Sequence, residues 1–202
     1  SPVIVVRGPS GAGKKAVMWE LLRRWGGAIP DPIPYLDGRW LSSEPDPRPL
    51  AALLEVAAPV VVLDKLHGLS RPQQGELFKW IMARLQARSP AGPRRLVVLL
   101  EHRGPAYPET ELRHRDLAKL LRAVPTVRLP SAATCGREEV RRLAQHFFQQ
   151  YKRDAPAGCR FHVKDCELAE DALTRLQDEP WPGNWRQLQL TVEMAAFAVA
   201  LD

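Results

Sequence analysis

The first fifteen residues carry the strongest chemical signal in the chain. An apolar stretch over residues 3–6 runs into Gly8-Pro-Ser-Gly-Ala-Gly-Lys14, and the pattern of a helix follows. A G-x-x-x-x-G-K spacing between strand and helix is typical of a phosphate-binding loop, because glycines let backbone N–H groups converge on an anion. The alternative is an ordinary glycine-rich turn without a ligand. The predicted nucleotide-binding residues are Gly8, Pro9, Ser10, Gly11, Ala12, Gly13, Lys14 and Lys15.

Asp64 is the second candidate site residue. It ends the apolar run over residues 59–63, which has the composition of a buried parallel strand. An aspartate in this place beside a phosphate loop holds Mg²⁺, usually through water, so we predict Asp64 as a nucleotide-binding residue and metal ligand. Capping of the next turn is the alternative role. Lys15 replaces the Ser or Thr that often holds the ion, which weakens the case for Mg²⁺.

Lys65 follows directly and bears on hydrolysis. A nucleotide hydrolase of this kind needs a carboxylate just beyond the strand to orient or deprotonate water. A charged lysine cannot accept that proton, so we predict poor or absent hydrolysis. Glu101 and His102 follow the next apolar run, at the sheet edge where ligands bind, and either could sense a γ-phosphate, although Glu101 would repel one.

Length and charge limit what can position these residues. A chain of 202 residues suits one α/β domain, or a larger core followed by a small helical one. Its 29 Lys and Arg exceed its 23 Asp and Glu, and the net charge of +6 fits phosphate ligands, nucleic acid or an acidic partner. Three cysteines cannot all pair, which favours reduced thiols. Without a signal peptide or an apolar run of about eighteen residues, we expect a cytoplasmic piece of a longer protein with no membrane partner.

The pattern of elements divides the chain in two. Helices are predicted over residues 14–25, 50–56, 70–85 and 111–123, and strands near residues 1–7, 35–41, 59–64, 95–100 and 126–129. From Gly136 onward we predict three helices and no strand, with Asn184 capping the third and Arg186 on its first turn. The predicted domains are an α/β core over residues 1–132 and a helical lid over residues 133–202.

The chain resembles the AAA+ domain of bacterial enhancer-binding proteins, the sigma-54-dependent transcription activators. Residues 8–15 are similar to the family's GESGTGKE loop, residues 62–70 to FLDEIGELS, and residues 180–188 to YPWPGNVREL. His114-Arg-Asp-Leu falls where the family has FRxDL, and residues 137–147 resemble the REDI…L-A-x-H-F opening of its lid. The resemblance implies a P-loop α/β core, a parallel sheet flanked by helices, and a small C-terminal helical lid. It also implies ATP or another purine nucleotide as ligand, Arg186 as a sensor from the lid, and self-association in a ring or dimer.

Several working parts of that family differ or are missing. The GAFTGA loop, which contacts sigma-54, has no counterpart between residues 26 and 56. Lys65 replaces the hydrolytic glutamate, and Glu101 replaces the sensor asparagine. At the positions of the two trans-acting arginines stand His114, flanked by Arg113 and Arg115, and Leu120. We therefore predict a degenerate module that keeps nucleotide recognition or assembly but cannot remodel sigma-54 polymerase.

Two further signals have simpler interpretations. Cys159-x-x-His162-x-x-x-Cys166, with Cys135 elsewhere, offers zinc ligand types, but its spacing fits no common zinc module and structural cysteines are favoured. The basic residues between positions 113 and 122 could contact a nucleic acid backbone. A solvated face or a subunit contact is favoured.

The sequence thus predicts a nucleotide-binding regulatory module of a bacterial transcription regulator. Its expected partners are a second copy and the other domains of the parent regulator, with DNA contacted only through regions outside this chain. One rival is an active ATPase that drives transcription initiation. The other is an interaction or oligomerisation domain that has lost its nucleotide.

Overall fold

A computed structural model describes residues 2–25, 32–41, 48–86, 95–101, 112–154 and 164–199. The chain forms two compact units. The first comprises the residues up to Pro9 and the range Lys14–Leu129, and the second comprises Ser10–Gly13 and the chain from Pro130 onward. The domain boundary after residue 132 stays a prediction, and nothing in the sequence anticipated that the tip of the phosphate loop groups with the helical unit.

The first unit is a parallel sheet flanked by helices, as predicted. Within the described residues the sheet has five strands in the order β2-β3-β4-β1-β5, all parallel. The strands are β1 (Val3–Gly8), β2 (Tyr35–Asp37), β3 (Val60–Asp64), β4 (Arg95–Glu101) and β5 (Thr126–Arg128). The helices are α1 (Lys14–Arg24), α2 (Arg48–Glu55), α3 (Arg71–Leu85) and α4 (Arg115–Ala123), with 3₁₀-helices at Gly38–Leu41 and Leu66–Gly68.

Alternate residues of the central strands enter two different cores. On one face Val5 and Leu63 pack with α2, α3 and α4, and on the other Val6 and Val62 pack with α1 through Met18. Successive side chains of a strand point to opposite faces, so a strand covered on both sides reads as a continuous apolar run. Each buried valine or leucine contributes about 1.5–3 kcal/mol, which makes these strands a rigid support for the loops at their ends.

The strand predicted over residues 35–41 is wrong in its second half, where the chain forms the 3₁₀-helix Gly38–Leu41. A Cβ atom on Gly38 would lie 2.6 Å from the carbonyl oxygen of Lys65. Glycine therefore permits the turn after β2 to approach the turn after β3 backbone to backbone.

The helix predicted over residues 111–123 begins later than expected, at Arg115. His114 is its N-cap, since His114 Nδ1 accepts a hydrogen bond from the Leu117 N–H at 3.2 Å. Gly26 and Gly27, predicted to end α1, and Glu111, predicted to start α4, lie outside the described residues.

Helix α3 begins where the sequence predicts, with a capping box at Ser70. The Ser70 hydroxyl accepts from the Gln73 N–H, and the Gln73 side chain accepts from the Ser70 N–H. The buried Gln74 amide donates to the Leu69 carbonyl at 2.9 Å and accepts from the His114 N–H at 3.0 Å. Gln74 therefore ties the turn that follows β3 to the start of α4.

The second unit is helical, as predicted. Its helices are α5 (Arg137–Asp154), α6 (Glu170–Asp178) and α7 (Asn184–Val199), preceded by a 3₁₀-helix at Ala132–Thr134. Trp181 is 4% exposed within their common core, and its indole N–H donates to the Leu176 carbonyl at 2.7 Å. In the part of the chain that the structure describes, no helix combines the length and apolar character needed to cross a bilayer.

Candidate phosphate-binding site

The base of the loop is organised by Lys14, the first residue of α1. Its ammonium group donates to the Gly8 carbonyl at 3.0 Å and to the Pro9 carbonyl at 2.7 Å. An ammonium group has three N–H donors, so with these two acceptors among the described residues one donor is left for an anion. The two bonds fix the ammonium group at the end of β1.

The Lys14 ammonium group is also electrostatically poised for an anion. The residue is 8% exposed, and burial, followed by the nearby charge of Lys65, lowers its pKa to about 8, while Asp64 partly opposes the shift. A buried cation is costly unless opposite charge offsets the loss of water. A polyphosphate would supply that charge.

Two glycines give the loop its shape. Gly11 has φ +72° and Gly13 has φ +84°, in the left-handed region that side chains disfavour. Glycines in this region let successive backbone N–H groups face one concave surface, as in anion-binding nests. No atom lies within 4 Å of the Cβ position at Gly13, so the space beside it is open.

The tip of the loop, Ser10–Gly13, is held within the second unit. The Asn184 side chain donates to the Ser10 carbonyl at 2.7 Å, and the Arg186 N–H donates to the Gly11 carbonyl at 3.2 Å. A Cβ atom on Gly11 would overlap the Gly183 carbonyl oxygen. The turn before α7 therefore positions the backbone of the loop tip.

Asn184 has a different role from the predicted helix cap. Its side-chain oxygen accepts from the Ala132 N–H at 2.9 Å while its amide donates to Ser10, so one side chain joins three segments. The residue is 7% exposed and has φ +55°, a conformation that asparagine tolerates better than most residues. Arg186 is exposed, with its Cβ atom beside Gly11.

The ends of three neighbouring strands meet at one edge of the sheet. Register pairs Gly8 with Glu101 and Asp64 with Leu99, so β4 lies between the end of β1 and the end of β3. Lys65 forms an ion pair with Glu101, and their side chains are 19% and 14% exposed. The position after Asp64, where the resemblance places a hydrolytic glutamate, thus holds a lysine that is paired with a glutamate of the next strand.

Asp64 is engaged by two donors. Its Oδ1 accepts from the Lys65 N–H at 2.8 Å, and its Oδ2 accepts from the Tyr35 hydroxyl at 2.5 Å. Burial, followed by the hydrogen bond to Asp64, raises the pKa of Tyr35 well above its ordinary value, so the phenol stays protonated and donating. The Lys15 ammonium group lies 4.9 Å from the centre of the Tyr35 ring.

Comparison with known proteins gives the fold a name. Residues 136–200 match the family of the AAA+ ATPase lid domain. The structure is similar, over 98% of the chain, to NtrX from Brucella abortus in complex with ADP (TM-score 0.69, 21% identity) and in complex with ATP (TM-score 0.66, 21% identity). It is also similar, over 96% of the chain and 55% of the other, to Drosophila ORC bound to DNA, with TM-score 0.53 and 14% identity. The chain has the AAA+ fold.

The chain spans only part of the length of the NtrX chains that it resembles. The chain covers 47% and 48% of the two NtrX chains, about half their length. No curated protein matches it in sequence. At 21% identity, the similarity to the NtrX structures establishes the fold alone. The chemistry of the site depends on the residues of this chain.

The site in this AAA+ fold suits a polyphosphate better than it suits Mg²⁺. Mg²⁺ requires near-octahedral oxygen ligands, usually one or two carboxylates together with substrate phosphates. Both Asp64 oxygens already accept one hydrogen bond each. The ammonium groups of Lys14 and Lys65 would repel a metal cation. No group of three or more His, Cys, Asp or Glu suited to a metal occurs among the described residues. The metal role of Asp64 stays a prediction that these donors do not favour.

Sequence reasoning missed two residues near the site, Tyr35 and Asp37, and the pairing of Lys65 with Glu101. Tyr35 follows a proline-rich stretch, and only the pairing of β2 with β3 brings it to Asp64. The Lys65–Glu101 pair also depends on sheet order. Asp37 did carry a signal, because it ends a short apolar strand as Asp64 does and is paired with it in register.

Asp37 is held by a local arginine. Burial would raise its pKa, but side-chain and backbone hydrogen bonds from Arg39 lower it below the ordinary value. Arg39 Nη2 donates to Asp37 Oδ2 at 2.6 Å and the Arg39 N–H donates to Oδ1 at 3.0 Å. Asp37 therefore stabilises the turn after β2.

The remaining candidates are structural or lie elsewhere. The ring of His114, besides capping α4, lies 5.3 Å from that of Phe78, centre to centre. Arg113 and Arg115 beside it are exposed. Cys135 is a partly buried free thiol, and Cys166 is also partly buried. Cys159, His162 and His102 lie outside the described residues.

Proposed function

We propose that this chain is a nucleotide-binding regulatory module that takes ATP or another purine nucleotide and hydrolyses it poorly or not at all. The observation that carries the proposal is the state of Lys14. Its buried ammonium group is fixed by two loop carbonyls, with one N–H donor left for an anion. Two glycines of the same loop adopt the left-handed conformation that an anion cradle needs.

The position of the loop and the fold of the chain indicate which anion the site would take. A cradle between a strand and a helix N-terminus recognises phosphate groups. NtrX structures with ADP and with ATP share the fold, which supports a purine nucleotide as the phosphate carrier.

Weak hydrolysis follows from the side chains at the strand ends. Attack on a phosphate needs a group that can accept a proton from water within hydrogen-bond reach. Lys65 occupies the place of that group, and the nearby carboxylate of Glu101 is neutralised by Lys65 itself. The cradle would therefore hold a nucleotide without an efficient way to cleave it.

The wider role follows from the resemblance to enhancer-binding proteins. In this proposal the module belongs to a bacterial transcription regulator, does not engage sigma-54 because it lacks a GAFTGA loop, and acts through self-association in a ring or dimer. Other domains of the parent protein and DNA-binding regions outside this chain complete the function. Arg186 serves as the lid residue that senses the nucleotide, and an Arg186→Ala variant should bind it more weakly.

Calorimetry and turnover test the proposal together. Titration of ATP and ADP into the protein should give saturable heat, and the same protein should release little phosphate. Lys65→Glu, which restores the missing carboxylate, should raise turnover. A substantial wild-type rate that Lys14→Ala abolishes, and that Lys65→Glu leaves unchanged, would identify an active ATPase instead.

An interaction domain without nucleotide is the second candidate, favoured by one surface. Leu190, Met194 and Phe197 of α7 are 49%, 72% and 47% exposed and share one helix face. An apolar stripe of this kind is typical of a protein contact. This candidate predicts no heat with ATP, ADP or cyclic dinucleotides.

A further inference from the structure

We propose that the chain binds the polyphosphate of its nucleotide without a divalent cation, with the ammonium groups of Lys14 and Lys65 supplying the positive charge in its place. The inference rests on the nucleotide binding proposed above and concerns how that site balances charge. It depends on how the surrounding donors occupy the carboxylate oxygens of Asp64 and on the positions of the lysines.

Asp64 is committed to protein donors on both oxygens. Tyr35 donates to Oδ2 at 2.5 Å and the Lys65 N–H donates to Oδ1 at 2.8 Å. The hydrogen bond from Tyr35 is short. Asp64 itself is buried, with 4% of its surface exposed to solvent. A metal ion, or a water bound to one, would compete with the phenol for the lone pairs of Oδ2.

The position after Asp64 brings a cation where a metal-binding site would gather oxygen ligands. Lys65 has φ +54°, a left-handed conformation rare for a side chain of its size, and its N–H faces Asp64. Its ammonium group lies at the end of β4, paired with Glu101. Its charge is close enough to Lys14 to lower the pKa of that residue. Two ammonium groups therefore lie near one another at the edge where β1, β3 and β4 end.

Lys15 adds a third cation and removes an oxygen ligand. It stands directly after Lys14 in place of a hydroxyl residue, and its ammonium group lies over the Tyr35 ring. A cation on the face of an aromatic ring is attracted by the ring quadrupole. Lys15 and Asp64 thus contact Tyr35 at its ring and its hydroxyl, which holds the phenol where it competes with a metal for Asp64.

Titration of ATP into the whole chain, once with excess Mg²⁺ and once with EDTA, tests the inference. The expected result is binding in EDTA at least as tight as in Mg²⁺, because free ATP carries more negative charge for the lysines to neutralise. Binding that EDTA weakens by about tenfold or more would overturn the inference and leave the proposed function intact. Failure to bind under both conditions would overturn the proposed function, and this inference with it.

Variants of the ion pair give effects of opposite sign. Lys65→Met should weaken ATP binding in EDTA by about tenfold, since it removes a cation and leaves Glu101 to repel phosphate. Glu101→Gln should tighten it, because Lys65 loses its competing partner. A pair with only a structural role would shift the melting temperature and leave affinity unchanged in both variants, which contradicts the inference.

Tyr35→Phe tests the competition with the metal directly. Without the phenol hydroxyl, no side chain competes for Asp64 Oδ2, so Mg²⁺ should now strengthen ATP binding relative to EDTA. Unchanged behaviour of Tyr35→Phe in Mg²⁺ would contradict the role of the phenol. The matched control is Lys79→Met, an exposed lysine of α3 that pairs with Glu76, and it should affect neither titration. Glu101→Gln and Tyr35→Phe retain shape, so the test stands even where Lys65→Met folds poorly.

Discussion

The phosphate loop and the neighbouring strand ends make contrasting use of the chain. The loop is built from backbone groups: glycines in the left-handed region, carbonyls that hold Lys14, and carbonyls held by Asn184 and Arg186. At the ends of β3 and β4 the chemistry depends on side chains. The position where a hydrolytic carboxylate is expected holds Lys65, which is paired with Glu101. A cradle of backbone atoms needs only glycine and one lysine, whereas cleavage needs particular functional groups. Binding can therefore persist where cleavage chemistry is lost.

The largest expected effect on ligand binding comes from the loop lysine. Lys14→Met should weaken ATP binding by about 100-fold, or about 2.7 kcal/mol, because the variant keeps the aliphatic chain and loses the charge. The free protein should remain folded, since removing a buried charge relieves its desolvation. Calorimetry with Lys79→Met as the matched control measures the difference. Equal affinities would move the ligand away from this loop.

A pair of glycine substitutions compares the two turns of the loop. Gly11→Ala should cost about 3 kcal/mol of unfolding free energy, because it combines an unfavourable φ with overlap of the Gly183 carbonyl. Gly13→Ala has the same backbone strain but open space, so it should cost about 1 kcal/mol. Urea unfolding of both variants provides the measurement. Similar costs would show that the contact with Gly183 has no energetic weight.

The asparagine that joins three segments comes next. Asn184→Ala should lower the unfolding free energy by about 2 kcal/mol, since a buried Ala132 N–H loses its acceptor and Ser10 loses its donor. Asn184→Gly accommodates the positive φ and removes the same hydrogen bonds. The difference between the two variants isolates backbone strain, and if they unfold alike the strain is negligible.

The smallest effect on ATP binding, up to tenfold per pH unit, or about 1.4 kcal/mol, follows from the Lys14 pKa of about 8. Phosphate binding needs the charged form, so ATP affinity should fall as pH rises through that value. The unfolded chain holds this proton up to a pKa of about 10.5, so the contribution of Lys14 to stability should instead increase between these values. Calorimetry and urea unfolding across this range check the opposite signs. In Lys14→Met both trends should be weaker, and trends of full size in that variant would assign them to another group.

Sequence reasoning succeeded where local pattern decides the structure. Apolar runs predicted the parallel sheet, helical spacing predicted the three helices that the structure describes in the second unit, and Ser70 predicted the start of α3. The glycine-rich loop between β1 and α1 was recognised because its spacing is itself the signal, and its role in binding nucleotide stays a prediction. The type of each element is fixed by neighbours in sequence, so these features were accessible without a structure.

Contacts between distant residues were not accessible in this way. The bond from Tyr35 to Asp64 depends on β2 lying beside β3, and the Lys65–Glu101 pair depends on β4 lying next to β3. His114 looked like a replaced arginine, yet its cap of α4 and its ring contact with Phe78 give it a structural role. Sheet order assembles these pairs, and no spacing in the sequence encodes it.

The four residues Ser10–Gly13 have a consequence for anyone who shortens this protein. A fragment that stops at Leu129 would contain every strand that the structure describes and the complete glycine motif. It would lack Asn184 and Arg186, which donate hydrogen bonds to the Ser10 and Gly11 carbonyls. Those carbonyls would turn to solvent and the loop would lose its supports. An excised sheet domain is therefore expected to fold with a loosely held loop and to bind the proposed nucleotide more weakly than the intact chain.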